Sequence, residues 1–142
     1  MQPSSSQLWS LYKTTQFVMA QSLSQSLNFA IITAFNPLGQ LRSPSFNTIQ
    51  DKALQYDIQR LNTVYRSIYG CSADLSYSEK SWLVAIEQST AIDLAIEYKQ
   101  NAIYFVNGDR LSLVPCLLAD QQEDYIGSFQ QRTRIFPANV FR

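Results

Sequence analysis

The segment "NFAIITAF", residues 28–35, presents Phe29, Ile31 and Phe35 on one alternating face and Ala30, Ile32 and Ala34 on the other. A strand that is apolar on both faces needs cover on both, which restricts the chain to folds that pack an interior strand between layers. Asn36-Pro37 ends it, because proline drives the preceding residue out of the α region toward extended geometry. A loop through Gly39 leads to Ser43-Pro44, an N-cap followed by proline at the first helical position, where its missing N–H costs nothing.

The elements on either side follow from period and punctuation. The helix "PSFNTIQDKALQYDIQRLN" carries Phe46, Ile49, Ala53, Leu54, Ile58 and Leu61 on one broad side. "TVYRSIYG" and "SWLVAI" are strands rich in β-branched and aromatic residues, joined by the long hairpin connection "GCSADLSYSEK". Ser89 or Thr90 caps a second helix, "TAIDLAIEYKQ", whose Asp93 and Lys99 complement the helix dipole. "NAIYFVNGDRLSLV" gives two strands around Asn107-Gly108, residues that accept the positive φ of a tight turn. Upstream, "SSSQLWSLYKTT" predicts a helix over residues 5–15 and "QFVMA" an edge strand; residues 117–142 show no regular pattern. The expected fold is a single α+β domain. Its mainly antiparallel sheet carries two helices, as a ferredoxin-like β-α-β-β-α-β core over residues 28–116 with an added hairpin strand and an N-terminal helix.

Composition narrows the function classes. Eleven basic and eleven acidic residues cancel, so no whole-molecule field draws the chain to nucleic acid or an anionic membrane. Arg132, Arg134 and Arg142 form the one local basic group and read as a solvated tail. No run approaches the roughly 20 apolar residues of a spanning helix, and the first residues lack a secretory pattern, so a cytoplasmic location is expected. Cys71 and Cys116 have no close-spaced partner and read as reduced thiols. The sequence has no histidine. That removes Ser-His-Asp and Cys-His pairs and the common zinc sites, implies no metal or cofactor, and leaves catalysis to carboxylates, amides, Tyr, Lys or Arg.

The segments "TAFNPLGQ", "SPSFN", "SEKSWLV", "YKQNAIYF" and "LSLVPC", in this order and spacing, resemble a bacterial family known as domain of unknown function number 3293. The resemblance runs from about Phe29 to Cys116. It implies no activity, but it marks Asn36, Pro37, Asn47, Glu79, Ser81 and Gln100 as landmarks. It also implies a basic residue soon after Asn47, where this chain has "TIQD", which takes away the charge an anion site at that helix start would use.

Each landmark has a structural and a functional reading. Asn36 either terminates its strand through an Asx turn or projects its amide into a site beside the helix start. Asn47, one turn into that helix, either bonds local backbone or Asn36, or faces the same place. Glu79, the only carboxylate among the landmarks, is an exposed hairpin residue or a candidate catalytic base whose pKa would rise in a water-poor cleft. Ser81 has no basic partner to activate it, so it is at most a ligand-binding hydroxyl. Gln100 either seals helix to sheet by bonding carbonyls or lines the site. Trp82, Tyr98, Tyr104 and Phe105 read as packing aromatics, since no basic residues interleave them. Together Asn36, Asn47, Ser81 and Gln100, with Glu79, suggest a site for a small polar ligand at the strand ends. A protein-interaction module or homodimer acting through a sheet edge is the alternative, with membrane or nucleic-acid partners disfavoured.

Overall fold

The computed structural model describes residues 3–22 and 27–136. Its helices are α1 (Ser5–Tyr12), α2 (Pro44–Gln59) and α3 (Gln88–Glu97). Its strands are β1 (Gln16–Met19), β2 (Phe29–Ile32), β3 (Tyr65–Cys71), β4 (Ser78–Val84), β5 (Ala102–Asn107), β6 (Arg110–Pro115), β7 (Asp124–Ser128) and β8 (Thr133–Ile135). All eight strands belong to one sheet in the order β7-β6-β5-β2-β4-β3-β1-β8. The pairing is antiparallel except between β1 and β8, which run parallel.

β2 has the two-sided cover its sequence demands. Ala30 and Ile32 face α2 and α3 in a core with Leu54, Ile58, Trp82, Ala91, Ala95 and Ile103. Phe29 and Ile31 face the other way, into a second core with Phe17, Met19, Ile68, Leu83, Val106 and Phe129. That second core exists because the sheet curls. β1 and β5 lie four strand spacings apart, about 19 Å across a flat sheet, yet the rings of Phe17 and Tyr104 meet edge to face with centroids 5.1 Å apart. Phe129 packs on both Phe17 and Phe29 and fills one end of the half-barrel.

The ferredoxin-like sandwich is therefore corrected. Three helices and a mixed, curled eight-stranded sheet replace two helices on an antiparallel one. β1 is not an edge strand, because it lies between β3 and β8. The segment expected to be irregular supplies β7 and β8, and its Ile126 and Phe129 pack into the second core.

Local chemistry explains the helix ends. Ser43 caps α2 by accepting from the Phe46 N–H at 3.1 Å, with Pro44 at the first position. The buried stripe of α2 is Asn47, Asp51, Leu54 and Ile58, while Ile49 is 65% exposed; two polar residues take places expected for Ile49 and Ala53. Asp51 earns its place through the indole N–H of Trp82 at 2.8 Å and the Lys80 ammonium at 3.1 Å, which rests on the Trp82 ring. The N-cap of α3 is Glu87 and not Ser89 or Thr90, and the left-handed residue ending that helix is Lys99. The hairpin after β5 turns at Gly108-Asp109, with the positive φ on Gly108.

Candidate functional site

On the concave face β4 alternates, so Glu79, Ser81 and Leu83 point inward while Lys80 and Trp82 point to α2. β2 and β5 add Ile31 and Tyr104, and β1 adds Phe17. α1 lies across this surface and presents Leu8, Leu11 and Tyr12. Roof and floor do not meet, and the gap is a cavity of about 470 Å³. Its deep wall is apolar (Phe17, Ile31, Leu113), and its rim at the end of β2 and start of β4 is polar (Asn36, Tyr77, Glu79, Ser81, Gln100, Asn101).

Asn36 organises the rim. Proline after it was expected to hold it extended, but its φ of 47° and ψ of 60° are left-handed. Its hydrogen bonds outweigh the pre-proline preference, and asparagine tolerates that region best among non-glycine residues. The backbone N–H of Asn36 donates to Asn47 Oδ1 at 2.9 Å, and Asn47 Nδ2 donates back to Asn36 Oδ1 at 2.9 Å. The Arg42 N–H also donates to Asn36 Oδ1. On the other side Asn36 Nδ2 donates to Tyr77 Oη at 2.7 Å and to Glu79 Oε2 at 2.9 Å. The Tyr77 hydroxyl donates its own hydrogen bond to the same Glu79 oxygen at 2.7 Å. A carboxylate oxygen can only accept, so Glu79 fixes which way the amide points. Leu38 and Gly39 are also left-handed, and the Leu38 N–H is tied to Lys99 O at the end of α3. Two non-glycine residues in this region within three positions, Asn36 and Leu38, concentrate backbone strain beside the cavity.

Gln100 closes the next stretch of rim, donating to Phe35 O at 3.1 Å and Tyr98 O at 3.2 Å. It seals helix to sheet and lines the cavity at once. Asn101 donates to the Tyr12 hydroxyl at 3.2 Å. The Tyr104 hydroxyl donates to Tyr12 O at 2.6 Å and accepts from Thr15 Oγ1 at 2.8 Å, pinning the end of α1 to the floor. The Arg132 guanidinium ties the same turn to β7, donating to Lys13 O and Thr15 O and to Ile126 O. It is thus no solvated tail; Arg134 is exposed, and Arg142 lies outside the described residues.

Burial raises the Tyr12, Tyr77 and Tyr104 phenols above their ordinary value, and the negative charge of Glu79 raises them further. They are neutral donors and acceptors at physiological pH. Burial also raises Cys71, which lines the cavity as a thiol. Ser81 Oγ donates only to Glu79 O, at 3.4 Å, so nothing activates it as a nucleophile. Among the described residues no group of His, Cys, Asp and Glu could hold a metal ion, and no helix is long and apolar enough to cross a membrane.

Of the residues singled out from sequence, Asn36, Glu79, Ser81 and Gln100 line the cavity. Asn47 stands behind Asn36, outside the lining, and holds it by the paired bonds above. β4 begins at Ser78, so Glu79, expected in the hairpin connection, and Ser81, expected at the strand's start, both lie within it. Sequence reading missed Tyr12, Tyr77, Asn101 and the cavity face of Tyr104. A usable signal was present: Tyr77, Glu79 and Ser81 alternate at the period of a strand, which puts the tyrosine on the same face as the carboxylate.

No curated protein and no solved structure matches the chain. A family model described as "Protein of unknown function (DUF3293)" matches residues 32–103. Those residues carry Asn36, Asn47, Tyr77, Glu79, Ser81, Gln100 and Asn101, whereas α1 and Tyr104 lie outside them. With half of its length covered by that model, the chain belongs to the DUF3293 family.

Proposed function

We propose that this chain is a small-molecule-binding domain whose ligand occupies the cavity between α1 and the concave face of the sheet. The observation that carries the reading is the rim itself, where a left-handed Asn36, held by Asn47, aims its amide at Glu79 and Tyr77 over a cavity of about 470 Å³. That volume is in the range of small-molecule sites, which combine apolar walls with a few convergent polar groups. Strained, over-determined backbone tends to collect at such sites.

The test is a thermal-shift screen of uncharged and charged fragments against the wild-type chain and an Ala102→Phe variant, which fills the cavity from β5. A true ligand at a hundredfold excess over its Kd stabilises by about 2.7 kcal/mol, on the order of 8 °C for a domain of this size, and loses that effect in the variant. A screen without a cavity-dependent shift overturns the reading. Recovery of the ligand unchanged after incubation marks a binder; turnover lost in Glu79→Gln marks an enzyme with Glu79 as its base.

A second reading has its own support. Leu11, Leu38, Leu41 and Tyr77 are 62%, 46%, 81% and 47% exposed around the mouth, an apolar rim that suits a second copy of the chain or a protein partner. Self-association in light scattering, abolished by Leu41→Lys, supports it; a monomer at every concentration removes the homodimer.

A further inference from the structure

The identity of the cavity's ligand is constrained by charge. Among the described residues, Glu79 is the one charged side chain in the lining. Several cations of the neighbouring elements are engaged elsewhere, Lys13 among them through Asp124 at 3.3 Å. Lys80 points to the opposite sheet face and pairs with Asp51 at 3.1 Å. Arg132 spends its guanidinium on three backbone carbonyls, and Arg42 lies over the Phe46 ring. Tyr12, Tyr77 and Tyr104 are neutral, as argued above. Asn36 and Tyr77 both bond Oε2 of Glu79, and no described residue bonds Oε1. A partly buried carboxylate at the mouth of an apolar cavity, with no bond to one oxygen and no positive partner among the described residues, repels an anion and favours a cation.

The surroundings specify the cation further. The Tyr12 and Tyr77 rings, with Phe35, line the polar end, and aromatic faces attract ammonium groups. Beyond them Phe17, Ile31, Leu8 and Leu113 offer only hydrocarbon and ring contacts. A small hydrated ion could not satisfy that half of the cavity.

Resting on the reading of the cavity as a ligand site, we propose that its ligand is an amine with an apolar body: a protonated nitrogen on Glu79 Oε1 at the rim, and an alkyl or aryl portion between α1 and the floor. Phosphate esters, nucleotides and carboxylates are excluded from this class.

The experiment compares three probes of one shape, 4-phenylbutylamine, 4-phenylbutanol and 4-phenylbutyrate, by calorimetric titration of the full chain. The amine is expected to bind about tenfold or more tighter than the alcohol, equivalent to about 1.4 kcal/mol, with the carboxylate weakest. Glu79→Gln keeps an acceptor for Asn36 and Tyr77 and is expected to bring amine and alcohol level. Equal binding of amine and alcohol to the wild type, or tightest binding of the carboxylate, overturns the amine assignment while leaving a cavity ligand in place. Binding of none of the three overturns the amine assignment too, and the fragment screen then decides separately whether the cavity binds anything. The wild-type ratio alone tests the assignment should Glu79→Gln not fold.

Discussion

Replacing Asn47 with alanine tests the idea that the rim is held from behind. Asn47 is 5% exposed and makes two bonds of 2.9 Å with Asn36, one to the backbone N–H and one from its own amide. Each is worth about 1 kcal/mol net, but the Asn36 N–H is left buried without an acceptor, which raises its share to about 1–3 kcal/mol. Alanine returns about 0.6 kcal/mol through its better helix propensity. The expected loss is about 2–3 kcal/mol, read as a lower urea midpoint by tryptophan fluorescence, since Trp82 sits in the helix-side core. Asn47→Asp separates the two bonds: it keeps the acceptor for the N–H but sets an oxygen 2.9 Å from Asn36 Oδ1. It should cost as much as alanine despite a carboxylate being favoured near a helix start. An alanine variant within 0.5 kcal/mol of wild type, or an aspartate variant above wild type, would refute the account of Asn36 as a residue held in a strained geometry.

Three further outcomes are expected. Asp51→Ala strands the Lys80 ammonium and the Trp82 N–H on a buried face and should cost about 3–5 kcal/mol in urea unfolding, with Asp51→Asn recovering part of it. Gly108→Ala, at a φ of +67° with open space around it, should cost about 1–2 kcal/mol through conformation alone. Because burial raises Tyr12, Tyr77, Tyr98 and Tyr104, the folded chain keeps phenol protons that the unfolded chain releases near pH 10; stability should be complete below that value and fall as pH rises past it. Urea midpoints at pH 9 and 11 check this, and the fall should be shallower in Tyr104→Phe.

Local rules carried the reading of the sequence as far as local rules operate. Ser43-Pro44 and the two-faced β2 are each set by residues adjacent in sequence and are where they were expected, and the hairpin expected around Asn107-Gly108 is present with its turn one residue later, at Gly108-Asp109. What was not legible depends on long-range pairing. β1 and β8 are four and three residues long, too short to show a period, and it is the pairing of β1 with β3 that brings Phe17 and Met19 into the second core. The polar residues Asn47 and Asp51 inside the buried stripe of α2 blurred its apolar pattern because each answers a partner on another element. Asn36 shows the same limit from the other side. Proline predicts extended backbone there, and bonds from Asn47 and Arg42 override it. The convergence of Asn36, Glu79, Ser81 and Gln100 could be suspected from their positions at strand ends, but the tyrosines that complete the rim looked like any packing aromatics.

The clamp on α1 has a consequence for how this chain is made. Arg132 grips the carbonyl of a residue 119 positions earlier, so during translation the roof leaves the ribosome long before its latch. At about 5–20 residues per second, the interval is roughly 6–24 seconds. For that time Leu8, Leu11 and Phe17 have no completed chamber to line, and the nascent chain must be kept from sticking through them. The chamber is complete only once synthesis has passed Arg132.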